Sequence, residues 1–410
     1  MRSPLEGTVV LGFTEYGAGP LACALLAGLG ARVIKIESPK REGDSGRRVP
    51  PLAVDGDSPF FQQTNLGSES VCLDVATPAG RRAFERLVAH ADALLSNFRP
   101  RAIERLGLSF AALAGINPRL VVCTLTGYGL GGPLANAPGY DYLFQARYGN
   151  MSLTGDPAAP PTRSGSMYVD LLGAALAAFS VTGALHMARR TGRGGEVDTS
   201  LMEAAVWALG YYPAWLSAAN FHPERLAWGA HQSVVPSRMF ATADGFIMIM
   251  CQTEEFWRNL CDRMERPDLL DRAEFGSLTD RRRNRSTLEP ILEHVFVGRT
   301  TQAWLDALGN DVPAAPINSL ADAMADPQLV QSGLLQLIEH PVFRDLKVIM
   351  PPFKVDGERA SLTRAPGLGE HTRSVLQELA GLSPAEVDSI VSSGAAVERE
   401  VRARDRQVHP

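Results

Sequence analysis

Along the first 200 residues, short unbroken apolar runs alternate with stretches whose apolar positions recur every three or four residues. TVVLGF (8–13), ARVIKIE (31–37), DALLSNF (92–98) and RLVVCTLTGYG (119–129) have the character of strands buried on both faces of a parallel sheet. Between them, PLACALLAGLG (20–30) and TPAGRRAFERLVAHA (77–91) read as helices, the first opening on Pro20 and the second capped by Thr77. Strand–helix alternation at this spacing predicts an α/β fold with a doubly wound, Rossmann-like domain.

The pattern changes near Ser200. Residues 200–221 (SLMEAAVWALGYYPAWLSAANF) are apolar and aromatic with one charge, interrupted by Gly210 and Pro213, and predict a helical connector that needs a partner surface. MFATADGFIMIM (239–250) predicts a hairpin around Asp244-Gly245, and charged helices follow. Strand character returns at LKVIMPPFKV (346–355), and EHTRSVLQELAGL (370–382) predicts a closing helix.

Composition narrows the function classes. At 45% hydrophobic and 21% charged residues over 410 positions, the chain is globular and long enough for two domains. A formal net charge of −5 argues against nucleic acid as a partner, and RRRNR (281–285) reads as a solvated helix face. Five cysteines without a C-x-x-C predict neither a disulfide framework nor a zinc site and fit a reducing cytoplasm. No signal peptide is read at the start, and the uncharged run Leu171–Leu185 falls short of a membrane span. The expectation is a soluble cytoplasmic protein with no membrane partner.

Gly17, Gly19 and Ala22 fit G-x-G-x-x-A, with Glu37 twenty residues beyond the first glycine, as in a dinucleotide fingerprint. Phe13, Thr14, Glu15 and Tyr16 precede Gly17, however, where a dinucleotide site has its first glycine almost directly after the strand, and Glu15 would repel a pyrophosphate. The eight histidines lack metal-ligand spacing, so no metal is expected, and no nucleophile elbow or phosphate loop occurs. Asp170 stands just before a wholly apolar helix. It reads either as an N-cap or as an exposed carboxylate that free amides and the helix dipole keep ionised, fit to act as a nucleophile.

Six segments in order then give a resemblance over nearly the whole chain. LLAGLGARVIKIESP…GD, SNFRPRAIERLGL, LTGYGLGGP…APGYDYLFQA, YVDLLGAALAAFSVTGAL…RRTGRGGEVDTSL, WGAHQSVVPSRMFATADG and RAPGLGEHT resemble the class III coenzyme A transferases, the CaiB/BaiF family. The resemblance implies a Rossmann-like large domain made of N- and C-terminal segments (1–200 and 346–410). It also implies linkers at 201–224 and 321–345, an inserted α+β domain at 225–320, and an interlocked homodimer.

It further implies CoA transfer from an acyl-CoA to a carboxylic acid, with CoA as a substrate and no permanently bound cofactor. Asp170 matches the family's catalytic aspartate, which forms a covalent intermediate. The CoA contacts carry over to Ala18, Leu73, Asn97, Phe98, Arg99, Arg105, Gly139 and Tyr140, with Lys40 and Arg41 near the phosphates. Gly229, Ala230 and His231 match a mobile loop whose amides are expected to meet the oxyanion. Ser68-Glu69 and Ala76 replace customary basic residues, and Gly17 stands where some members have Gln. A related α-methylacyl-CoA racemase would need a histidine that this chain lacks between His90 and His186. A non-catalytic CoA-binding subunit is the remaining alternative.

Overall fold

The computed structural model describes Ser3–Arg399. Its contacts divide the chain into two units. The first comprises the stretches up to Phe144, Ser166–Ala208 and from Pro327 onward; the second comprises Gln145–Gly165 and Leu209–Asp326. These boundaries fall differently from those read in the sequence. Residues 145–165 join the second unit, 201–208 stay with the first, and the chain returns to the first unit at Pro327, before Leu346.

The first unit is built on strands β1 (Val9–Phe13), β2 (Arg32–Glu37), β3 (Ser68–Leu73), β4 (Ala93–Ser96), β5 (Val121–Thr126) and β6 (Gly195–Ser200). They are parallel and ordered 3-2-1-4-5-6, the doubly wound order in which the succession of strands reverses between β1 and β4. Leu11, Ile34, Val71, Leu94 and Val122 from five of these strands are buried in one core.

The sheet is wound by helices α1 (Ala18–Gly28), α2 (Pro59–Thr64), α3 (Pro78–Ala89), α4 (Pro100–Leu106), α5 (Phe110–Leu113), α6 (Asp141–Arg147), α7 (Tyr168–Thr191) and α8 (Leu201–Trp207). Thr77 caps α3, its Oγ1 accepting from Gly80 N at 3.1 Å, and Ala83, Phe84, Leu87 and Val88 form the buried stripe. α1 opens on Ala18, two residues before Pro20.

Helix α7 is long and apolar enough to cross a membrane by length and composition alone. Its Val169, Gly173, Ala174, Ala177, Ala178, Val181 and Leu185 are nevertheless buried at helical spacing, as in a core helix. The opposite face leaves Leu171, Phe179 and Met187 exposed.

The late strand behaves differently from its sequence reading. Leu346–Ile349 does not join the main sheet. As β11 it pairs antiparallel with β10 (Leu335–Ile338) in a separate two-stranded sheet. The strand that returns to the main sheet is β12 (Ala396–Val397), antiparallel on the β3 edge. The helix Thr372–Glu378 lies within the predicted span.

In the second unit, β7 (Ser237–Ala241) and β8 (Phe246–Met250) form the hairpin around Asp244-Gly245, and β9 (Ala314–Pro316) extends it. Phe240, Ile247, Trp257, Leu260, Phe296 and Trp304 make its core. RRRNR is not simply a solvated face: Arg281 is fully buried. Its guanidinium donates to the carbonyls of Val235 (3.0 Å) and Phe275 (3.1 Å) and pairs with Glu254 (2.7 Å). Three polar partners let a buried charge persist where a solvated arginine would need none. Helix α9 (Tyr212–Ala219) has no buried residue.

Candidate active site

At the carboxyl ends of the strands, beyond the paired β1 and β4, lies a cavity of about 790 Å³. This is where doubly wound sheets bind ligands. Its lining includes Asp170 and all ten residues assigned to CoA: Ala18, Lys40, Arg41, Leu73, Asn97, Phe98, Arg99, Arg105, Gly139 and Tyr140. Ala76 lines it too.

The turn between β1 and α1 forms one wall, and three side chains hold it. Asn97 Oδ1 accepts from Glu15 N (2.9 Å) while its Nδ2 donates to Glu15 O (2.8 Å). Lys35 Nζ, buried, donates to Thr14 O (2.6 Å) and pairs with Asp44 (2.8 Å), whose Oδ1 accepts from Tyr16 N (2.9 Å). Tyr16 is thereby kept at φ 69°. A Cβ on Gly19 would stand 2.7 Å from Asn97 Cγ, and one on Gly17 2.5 Å from Asp170 Oδ2. The two glycines therefore bring the start of α1 against Asn97 and Asp170, a different use from the pyrophosphate approach of a dinucleotide fingerprint.

Asp170 lies in the first turn of α7, but it is neither the cap nor exposed. Met167 occupies the cap position, without a side-chain hydrogen bond. The amides of Val169 and Asp170 donate instead to Asp141 Oδ2, at 2.7 and 3.0 Å. Asp170 is 7% exposed. Burial, and then the Asp141 carboxylate, push its pKa up to about 7. The expectation that the helix end would keep it readily ionised is thus overturned, because desolvation outweighs the dipole. The result is a weakly hydrated carboxylate that is a strong base and nucleophile once deprotonated.

The cations around the cavity fall into two groups. Lys40 pairs with Asp74 (2.8 Å) and Arg41 with Glu15 (3.2 Å). Arg99, Arg101 and Arg105 make no ion pair among the described residues. Arg101 and Arg105 share a face of α4, one turn apart. Arg101 escaped the sequence reading, although its i, i+4 relation to Arg105 was the available signal. Ser68 and Glu69, placed beside the phosphates by motif, begin β3 at the opposite end of the sheet from Leu73, roughly 16 Å away at strand rise. Glu69 pairs there with Arg32 (2.7 Å) and does not line this cavity.

Glu37 closes β2 without facing a ribose. Arg47 grips it with two nitrogens (2.9 and 2.7 Å), and Ser70 Oγ and Asp44 N add 2.6 and 3.0 Å contacts. Burial opposes its ionisation, but Arg47 prevails and brings its pKa down to about 2.

Gly229, Ala230 and His231 belong to the second unit. Trp228 and Gly229 are both left-handed, at φ 60° and 64°. Ala230 N donates to Ala227 O (3.2 Å) and His231 N to Ser237 O (2.9 Å), so these two amides are occupied, contrary to the expected oxyanion role. His231 Nδ1 accepts from Ser233 N (3.2 Å) and Val234 N (3.1 Å), which puts the proton on Nε2, 2.9 Å from Tyr211 Oη. Burial and then Arg285 lower its pKa, which favours the neutral ring.

Residues 5–372 match the model of CoA-transferase family III. The mouse (Mus musculus) succinyl-CoA:glutarate CoA-transferase is 31% identical over 97% of this chain and 92% of its own. The acetyl-CoA:oxalate CoA-transferase of Acetobacter aceti is 33% identical over 92% and 96%. A CAIB/BAIF family protein of Brucella suis has a crystal structure that superposes with a TM-score of 0.81. It is 31% identical over 92% of this chain and 100% of that one. The chain belongs to CoA-transferase family III, the CaiB/BaiF family: it is a CoA-transferase, and coenzyme A is its substrate.

Proposed function

We propose that this enzyme moves CoA from an acyl-CoA, with succinyl-CoA as the favoured donor, to a small dicarboxylate through covalent intermediates on Asp170. The observation that carries this reading is the convergence of Asp170 and ten CoA-assigned residues on one cavity at the strand switch point. The dicarboxylate follows from the relatives, whose names specify glutarate and oxalate.

In this reading the Asp170 carboxylate attacks the thioester carbonyl, the C–S bond breaks, and CoA leaves as thiolate from a mixed anhydride. The thiolate attacks the aspartyl carbonyl, releasing the donor acid as its carboxylate and leaving an aspartyl-CoA thioester. The acceptor carboxylate attacks that thioester to give a second anhydride and thiolate. Attack of thiolate on the acceptor's acyl carbon then forms the new acyl-CoA and restores Asp170. No net proton is consumed. The amides of Ala18 and Gly19 in the first turn of α1, which no intrahelical carbonyl can use, are the donors assigned to the oxyanions.

Arg99, Arg101 and Arg105 face the CoA phosphates. The working form is an interlocked homodimer, which the exposed Phe179 and Trp207 (79% and 74%) support, since large apolar surfaces mark interfaces. A cytoplasmic setting fits five free, buried thiols. A racemase reading finds no support, because no histidine lines the cavity among the described residues. Hydroxylamine added with succinyl-CoA is expected to convert Asp170 to a hydroxamate, found by peptide mass spectrometry. Trapping at Asp141 or nowhere would overturn the scheme.

A further inference from the structure

Among the described residues that line the cavity, Tyr16 alone combines a left-handed backbone with a bulky side chain, at φ 69°. L residues of that size rarely adopt this conformation, and it persists only where the surroundings over-determine it, commonly at functional sites. Here they do. Asp44 holds the Tyr16 amide, buried Lys35 holds Asp44 and the Thr14 carbonyl, and Asn97 holds both backbone groups of Glu15.

The turn aims the ring as well as the backbone. The Tyr16 ring is flanked by Phe60 (centroids 4.9 Å) and Tyr140 (6.0 Å, edge-on) and remains 38% exposed. The next residue, Gly17, abuts Asp170 Oδ2. The Tyr16 hydroxyl makes no hydrogen bond among the described residues. Burial, and then Tyr140, Asp170 and Tyr142, raise its pKa, so it stays a proton donor at neutral pH. Several basic side chains of this region already have carboxylate partners: Lys35 with Asp44, Lys40 with Asp74, Arg41 with Glu15 and Arg47 with Glu37.

We infer that Tyr16 selects the acyl chain: its hydroxyl donates to a second carboxylate at the far end of the group bound at Asp170. This rests on the dicarboxylate reading above and deepens it. A phenol–carboxylate hydrogen bond is charge-assisted, and its loss is worth about tenfold or more in discrimination.

The test follows thiol release from succinyl-CoA and from butyryl-CoA, which has the same carbon count without the second carboxylate, with hydroxylamine present. Wild type and Tyr16→Phe are compared, the Phe ring keeping its packing against Phe60 and Tyr140. The ratio of kcat/KM for succinyl-CoA over butyryl-CoA is expected to fall about tenfold or more in the variant. A wild type that prefers succinyl-CoA and a variant with the same ratio would overturn the role of Tyr16 and leave the dicarboxylate reading standing. A wild type without preference would overturn both.

Discussion

The carboxylate of Asp141 accepts hydrogen bonds from the backbone amides of Val169 and Asp170. One acid therefore caps the helix from outside while its charge keeps the neighbouring Asp170 carboxyl protonated to higher pH. The sequence offered Asp170 itself as either the cap or a nucleophile; the capping falls to Asp141 instead.

That division fixes a pH dependence. In the proposed scheme attack requires ionised Asp170, whose pKa burial pushes up to about 7. Thioester consumption is therefore low in acid and rises through neutrality to a plateau. Asp141→Asn keeps an acceptor oxygen for the two amides and removes the charge, so the acid limb of kcat/KM is expected to move to lower pH. A limb that stays in place would show that Asp141 does not act on the titrating group.

The two ends of β3 separate a second pair of outcomes. Arg105 lines the cavity and has no acidic partner among the described residues, so Arg105→Ala is expected to raise the KM for CoA esters about tenfold. It should also flatten their salt dependence. Glu69 sits at the far end, paired with Arg32. Glu69→Ala is expected to leave CoA affinity unchanged and to cost no more than about 1 kcal/mol of stability. Steady-state kinetics at two ionic strengths and urea unfolding check both.

Much of the large unit was legible because parallel strands are continuous apolar runs and their order follows from short, right-handed crossovers. The cavity residues were legible through motifs that fall on strand ends and helix starts. Side-chain partnerships across long sequence gaps were not. Nothing in spacing links Asp141 to Val169, Lys35 to Asp44 or Arg281 to Val235. Charged residues are also read as exposed unless a partner is visible. Ser68-Glu69 was misplaced because a motif gives proximity along the chain, whereas strand direction decides which end of the sheet a residue reaches. The late strand Leu346–Ile349 was legible as a strand but not in its pairing, since apolar pattern alone names no partner.

Glu37 and Arg47 form a fully buried pair, and Glu37→Gln leaves Arg47 without its counter-charge. The expected cost is about 3–5 kcal/mol at pH 7 by denaturant unfolding. Because the folded pKa of Glu37 is depressed from 4.5 to about 2, its stabilisation is complete above the unfolded value and is lost as pH falls through the folded one. The gap between wild type and variant should therefore close progressively below about pH 4.5. A constant gap across that window would show that the loss arises from packing.

Asp170→Asn carries the most information, because activity and stability are expected to move in opposite directions. An amide cannot form the anhydride, so transfer should fall by several orders of magnitude while CoA binding remains. The folded pKa of Asp170 is raised from 3.8 to about 7, so the folded state holds a proton that the unfolded state releases above 3.8. Stability from this group is therefore present in acid and declines between pH 3.8 and about 7, a span equivalent to at most about 4 kcal/mol. Asn has no charge to desolvate, so the variant should melt above wild type at pH 8 and the two should converge near pH 4. Thermal unfolding at both pH values, with hydroxamate formation measured on the same samples, distinguishes a strained nucleophile from a structural carboxyl. A variant that melts below wild type at pH 8, or that still transfers CoA, would refute the assignment.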